Sequence, residues 1–266
     1  MELVKTMVMP YINDAWQEIL AFNELDTFES LWELDAPWFE EKNQRRGGWS
    51  GVSRIDLLLP RGGSVGVFLK RQENHRKRTL TYPLRGRATF AVEFDNIQRF
   101  EKLGINTLEP IFFADRRQRA GLQAILMTCE LAGFNALSSE EFQPGGRFLN
   151  TPEKKLAVFK SLAGLMHQMH DKNIKHDCFY LKHVFAMPVN NTSMELKVID
   201  LEKAKKVLYK GNAVFRDLYS LLRHAQEWTD EDKLTFFKIY RGEEQLSAQS
   251  LKLWRSINRK LETHKL

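Results

Sequence analysis

The order in which the hydrophobic pattern changes limits this chain more than any other feature. Short runs rich in branched apolar residues come early, at 52–59 and 65–69, separated by a turn signal from Pro60 to Gly63, and together they read as a hairpin. Phe90, Phe94, Ile97, Phe100 and Leu103 then recur three and four apart, one face of a helix over 89–103, with Gly104 where a C-terminal cap favours glycine. Two more apolar runs, 110–114 and 123–127, read as strands. After Thr151, a capping residue, and Pro152 at the first helical position, the spacing becomes helical through Ala157, Leu162, Leu165, Met166 and Met169, although Lys154 leaves a capping box incomplete. Residues 184–187 and 196–199 flank a turn at 188–193, a second hairpin. Residues 215–266 read as helices with Trp228, Phe236, Phe237 and Trp254 inward. Strands, a helix, more strands and then a mostly helical half predict an α+β fold rather than an alternating parallel sheet. Residues 133–146 read as linker and place a boundary between 1–132 and 133–266. Residues 1–43 read as irregular structure with a helix near 27–34 capped by Asp26, and 71–87 as a polar, basic loop.

Composition removes several classes. Apolar residues make up 43% of the 266 and charged residues 28%, which suits a soluble globular chain and not a collagen-like, coiled-coil or disordered one. No run of eighteen apolar residues exists, and residues 1–16 carry Glu2, Lys5 and Asp14 without a small-residue cleavage site, so neither a spanning helix nor a secretory signal is expected. The two cysteines, Cys129 and Cys178, stand in dissimilar contexts, which points to a reducing, cytoplasmic setting. A formal charge of +6 suits an acidic partner: a phosphorylated substrate, an anionic membrane face or nucleic acid.

Phosphoryl transfer depends on positioning and charge neutralisation, and residues for each part occur in order. Gly47, Gly48, Ser50 and Gly51 precede the first strand as a glycine-rich turn whose amides can approach phosphate, and it is not a Walker A loop because no Gly-Lys-Ser/Thr follows. Lys70 ends the second apolar run, with its stem buried and its ammonium at the strand end. Glu93 lies on the next helix beside apolar neighbours, where a carboxylate needs a partner such as Lys70. Asp177 sits in a loop between a helix and the second hairpin, placed to meet a hydroxyl, and Asp200 ends an apolar strand, placed to hold Mg²⁺ through oxygen. Taken alone, each aspartate reads as a turn or capping residue before a catalytic one. The succession of glycine turn, strand lysine, helix glutamate, loop aspartate and strand-end aspartate is the kinase order.

On these residues the chain resembles the lipopolysaccharide kinase family, which includes heptose and Kdo kinases of the lipopolysaccharide core and the InaA-type proteins. The resembling stretches are residues 45–53 around Gly47-Gly48-Trp49-Ser50-Gly51, 69–75 around Lys70, 83–94 through Glu93, His176-Asp177-Cys178, Lys182-His183-Val184-Phe185 and Val198-Ile199-Asp200-Leu201-Glu202. The resemblance implies a bilobal protein-kinase-like fold, with a small lobe of antiparallel sheet plus one helix and a mostly helical large lobe. It implies ATP and Mg²⁺ as cofactors and a sugar hydroxyl of a lipopolysaccharide core or lipid A intermediate as acceptor. It also implies a cytoplasmic protein, peripheral on the anionic inner face of the inner membrane. By the same resemblance Lys70 matches the phosphate-binding lysine, Glu93 its partner, Asp177 the catalytic aspartate and Asp200 the metal-binding aspartate. Glu130 matches the hinge that reads adenine, and Asp217 the helix aspartate that braces the catalytic loop. The sequence departs from the common pattern in three places. Lys175-His176-Asp177 replaces His-Arg-Asp, Lys182 stands where an asparagine is usual with His183 next to it as a metal-side candidate, and Asp200-Leu201-Glu202 lacks the glycine of Asp-Phe-Gly.

Other groupings compete for attention. His167 and His170, one helical turn apart with His176 nearby, suggest zinc, but no cysteine cluster or His-Glu-x-x-His spacing supports it, and a polar role at a helix end accounts for them. Arg71, His75, Arg76, Lys77, Arg78, Arg85 and Arg87 crowd one stretch that suits lipid phosphates, or else a solvated loop. Nucleic acid is not expected as a partner, since only Tyr82 interleaves those cations. Cys178, with no base placed to activate it, reads as packing.

Overall fold

The computed structural model describes residues 9–45, 47–78, 86–118, 121–190 and 192–263. Two compact units divide the chain. One takes in residues up to Arg99 together with Leu108–Ala132, and the other takes in Phe100–Thr107 and Gly133–Leu266.

The first unit opens with more regular structure than its sequence suggests: strand β1 (Tyr11–Ile12) and helices α1 (Gln17–Phe22) and α2 (Phe28–Glu33). Thr27, not Asp26, caps α2. Its Oγ1 accepts the Ser30 amide at 3.1 Å while Ser30 Oγ accepts the Thr27 amide at 3.3 Å, a reciprocal box that a side chain one residue earlier does not make. Then come β2 (Asn43–Arg45), β3 (Gly48–Leu58), β4 (Ser64–Glu73), β5 (Arg76–Lys77), β6 (Arg87–Ala88), α3 (Thr89–Lys102), β7 (Pro110–Arg117) and β8 (Leu122–Cys129). The main sheet is antiparallel, in the order β1-β7-β8-β4-β3-β2. Trp16, Leu20, Phe28 and Leu31 of the N-terminal segment pack on Leu57, Val67, Leu69, Ile111 and Ile125 of the sheet, burying one face.

Strand β4 outruns its apolar run. Lys70, Arg71, Gln72 and Glu73 continue it because β3 pairs with it on one side and β8 on the other. Lys70 is therefore inside a central strand, not at its end. Residues 71–87 are likewise not a simple loop. Arg71 is buried and donates to the Trp32 and Leu34 carbonyls at 3.0 and 2.7 Å, and β5 pairs with β6. Tyr82, Pro83, Leu84 and Arg85, like Arg46, lie outside the described residues.

The second unit contains β9 (Asn135–Ala136), α4 (Pro152–His170), β10 (Ile174–Lys175), β11 (Val184–Asn190), β12 (Ser193–Val198), β13 (Lys205–Lys206), α5 (Lys210–His224), α6 (Asp230–Arg241) and α7 (Ala248–Glu262). Residues 133–146 are not plain linker, since β9 pairs with β11 and Leu137 and Phe142 are buried. Thr151 caps α4 as its sequence predicts, accepting the Lys154 amide at 3.3 Å. The apolar stripe of α4 is buried from Ala157 to Met169, and Phe159 meets the rings of Trp228 and Phe236 with centroids 4.6 and 5.7 Å away. Trp254 is half-buried against Phe237. Among the described residues, no helix is long and apolar enough to cross a membrane.

Candidate active site

In the first unit, Lys70 Nζ lies 2.6 Å from Glu93 Oε1, with 16% of the lysine side chain and 4% of the glutamate side chain exposed. A carboxylate this deeply buried requires a cation, and a lysine this well held offers its remaining hydrogens in a fixed direction. Gln72 sets the geometry. It is fully buried two residues beyond Lys70, on the same side of β4. Its Oε1 accepts the Thr89 hydroxyl at 2.7 Å and the Phe90 amide at 2.9 Å, and its Nε2 donates to the His75 carbonyl at 2.5 Å. Phe90 belongs to the first turn of α3 and Glu93 stands one turn further on. Gln72 at the helix start and Lys70, through Glu93, one turn on thus lock strand against helix at two points. Nothing in the sequence signalled Gln72 except its place two residues from the lysine.

The glycine-rich stretch divides into a turn and a strand. Gly47 alone adopts a turn conformation, with φ +73, after β2. Gly48, Ser50 and Gly51 lie inside β3, which corrects the expectation of a glycine turn ahead of the first strand. Their residue types answer to neighbours. A Cβ on Gly48 would meet the Glu73 carbonyl oxygen at 2.3 Å, and one on Gly51 would meet the Trp38 ring at 2.4 Å. Glu130 has its amide engaged with the Gly66 carbonyl at 3.0 Å, while its carbonyl accepts the Ala132 amide at 3.0 Å and the Cys129 thiol at 3.5 Å. Its carboxylate takes Arg54 in a two-pronged contact at 2.9 and 2.8 Å.

In the second unit, one aspartate of α5 organises the loop that bears Asp177. Asp217, fully buried, accepts the His176 amide at 2.8 Å and the Asp177 amide at 2.9 Å, and His170 Nε2 approaches it at 3.2 Å. His170 Nδ1 in turn contacts the Tyr240 hydroxyl at 2.8 Å, and His167 contacts the Tyr240 carbonyl at 2.8 Å. These bonds give both histidines of the zinc-like pair a bracing role. His176 ties the loop to the chain leading into Asp200, with Nε2 donating to the Ile199 carbonyl at 2.9 Å and Nδ1 accepting the Cys178 amide at 3.3 Å. Complete burial holds its pKa below the ordinary value. Pairing of β10 with β13 and the Ile199 amide bonded to the His183 carbonyl at 2.9 Å join the two loops further.

Asp177 and Asp200 both hold left-handed backbone, φ 71 and 60, a conformation that costs a non-glycine residue energy and persists only where surrounding bonds impose it. Three cations surround the Asp177 carboxylate: Lys175 at 3.2 Å, Arg216 at 3.5 Å and Lys205 at 3.7 Å. Partial burial pushes its pKa up, but the Lys175 hydrogen bond and the three charges outweigh that and hold it below the ordinary carboxylate value. Lys175 is a neighbour in sequence, whereas Lys205 and Arg216 reach Asp177 from separate segments that no local pattern links to it.

His183 carries the observation that bears on a metal. Its Nδ1 lies 2.9 Å from the Cys178 carbonyl and so carries the proton, which leaves Nε2, 3.4 Å from Asp200 Oδ2, as the nitrogen with a lone pair. Burial, the largest influence, lowers the ring's pKa to about 4, which keeps it neutral. An unprotonated imidazole nitrogen and a carboxylate at this distance suit a cation shared by both. An imidazole nitrogen and a carboxylate are both ligand types for a divalent metal, although among the described residues no group of three or more His, Cys, Asp or Glu side chains gathers to hold one.

The solved structure described as WaaP in complex with acyl carrier protein matches this chain with a TM-score of 0.67, covering 96% of this chain and 99% of that one at 20% identity. At that identity the likeness speaks to architecture, and the fold is protein-kinase-like. Residues 29–240 match the lipopolysaccharide kinase (Kdo/WaaP) family, and the chain belongs to that family. It is also similar to Protein InaA of Escherichia coli (strain K12), with 27% identity over 201 residues, 76% of this chain and 89% of that protein.

Proposed function

We propose that the chain is an ATP- and Mg²⁺-dependent kinase whose acceptor is a sugar hydroxyl, of heptose or Kdo, in a lipopolysaccharide core intermediate at an anionic membrane face. The reading rests on one observation above all: the unprotonated Nε2 of His183 and the Asp200 carboxylate lie 3.4 Å apart. His183 and Asp200 would hold the metal, which when bound neutralises phosphate charge. Lys70, fixed by Glu93, orients the α- and β-phosphates, and the amides around Gly47 approach them. Glu130, just beyond β8, stands at the hinge position whose backbone would read adenine. Asp177 orients the acceptor hydroxyl. Its lowered pKa makes it a weak base, which is adequate for a loose transition state in which the proton leaves late.

A second reading, a nucleotide-binding module without turnover, is favoured by Glu202 in the place of the usual glycine and by the cations that already occupy Asp177. Incubating the protein with labelled ATP, Mg²⁺ and lipopolysaccharide lacking core phosphate separates the two. The kinase reading expects phosphate on the glycan, reduced about 10³-fold or more by Asp177→Asn at unchanged thermal stability. ATP binding without transfer to any heptose or Kdo acceptor would establish the second reading instead.

A further inference from the structure

The most exposed adjacent pair of large apolar residues in the described chain is Leu208 and Tyr209, at 90% and 77%. They do not sit on a slack loop. The segment before them forms β13, paired with the buried strand β10. The Val207 amide donates to the Asn173 carbonyl at 2.8 Å, and the Tyr209 carbonyl accepts the Asn212 amide at 3.0 Å as α5 begins. The fold therefore presents these two side chains to solvent on a fixed support. Water exacts a cost for such exposure unless something covers it.

The surrounding charge identifies the cover. Lys203, Lys205, Lys206 and Lys210 flank the pair, Arg216 follows one turn into α5, and no acidic residue occurs from 203 to 216. Lys205 and Arg216 face Asp177, Lys203 lies near Glu202 and Lys210 pairs with Asp171, so the region stays cationic after those acids are counted. A leucine and a tyrosine ringed by lysines combine an apolar wedge, an amphipathic ring suited to the headgroup layer and cations for anionic phosphates. A soluble acidic protein would also match the charges and seat the apolar pair, but the lipid-borne acceptor proposed for this site favours a membrane, and failure to bind vesicles would point to the protein instead. The cationic stretch at 71–87 is a weaker candidate: Arg71 is buried, Arg76 bonds Asn74 and Arg87 pairs with Asp95.

We infer that residues 205–210 form a membrane-docking tip that inserts Leu208 and Tyr209 into an anionic lipid surface. The inference deepens the kinase reading, on which its significance rests, because the same segment supplies Lys205 to Asp177. It would deliver a lipid-borne acceptor beside the catalytic loop.

Sedimentation with vesicles tests it without nucleotide or turnover, so its outcome is independent of whether the protein transfers phosphate. The full chain is expected to bind vesicles containing anionic phospholipid and to bind purely zwitterionic ones at least about tenfold more weakly. Leu208→Ser with Tyr209→Ser should lower binding to anionic vesicles by about tenfold or more, and Lys206→Gln by about fivefold. Val189→Ser, which removes another exposed apolar side chain, and Arg78→Gln should leave binding unchanged. Wild-type binding by the Leu208/Tyr209 variant would overturn the inference, as would equal binding of the native chain to both vesicle types, or no binding to either.

Discussion

The Lys70–Glu93 pair is too buried to be ornamental. Removing either partner would strand the other charge in a nearly dry site, at a cost of about 3–5 kcal/mol, whereas an apolar pair of similar volume would carry no such penalty. A fold that needed only stability would not place a lysine there, which is why the pair reads as functional. His176 makes a comparable point through pH. Its folded pKa lies below the ordinary 6.5, so as pH falls through that value the unfolded chain takes up a proton that the folded chain refuses. The stability supplied by neutral His176 is complete above about 6.5 and declines below it. His183 and His224, both lowered by burial first of all, add in the same direction. Calorimetric melting should show Tm falling by several degrees from pH 7 to pH 5, with a shallower slope in His176→Gln. A Tm independent of pH across that range would contradict the burial of neutral histidine. Asp177, with its pKa shifted down, stays ionised throughout the window and does not contribute to that slope.

At the level of elements, β3 and β4 show what a local pattern reveals and what it hides. The helix over α3 was legible because its apolar spacing is long and regular, and so was the capped start of α4. The end of β4 was not, because Arg71 and Gln72 look like loop residues until the Trp32, Leu34, Thr89 and Phe90 partners that accept them inside are known. The glycines misled for a related reason. Their freedom was assigned to a turn, whereas Gly48 exists because the Glu73–His75 backbone crosses where a Cβ would stand. Gly48→Ala should therefore destabilise the chain by about 2 kcal/mol or more, while Gly47→Asn should cost about 1 kcal/mol or less, since space there is open and asparagine tolerates positive φ. Urea denaturation of the two variants checks the order, and equal midpoints would refute it. Asp177 and Asp200 were visible in sequence by their order along the chain. His183 was visible too, as the residue next to the usual asparagine position, but Lys205 and Arg216 beside Asp177 were not, since only tertiary contact brings their segments to it.

For the molecule as a whole, sequence order carried the fold class, and tertiary contacts supplied the chemistry. The first unit holds a preset ammonium. The second holds a braced aspartate and an imidazole beside a carboxylate, and its cationic tip accounts for part of a +6 excess that the sequence alone left unassigned. The claim on which the functional account turns is that His183 and Asp200 jointly ligate the metal of a bound nucleotide. Pulsed electron paramagnetic resonance of the Mn²⁺·ATP complex addresses it directly, because a coordinated imidazole imprints nitrogen modulation on the echo. The account predicts that modulation in the native chain, its loss in His183→Ala and a sharp fall in Mn²⁺·ATP affinity in Asp200→Asn. A native spectrum free of imidazole nitrogen, or affinities indifferent to both substitutions, would contradict it.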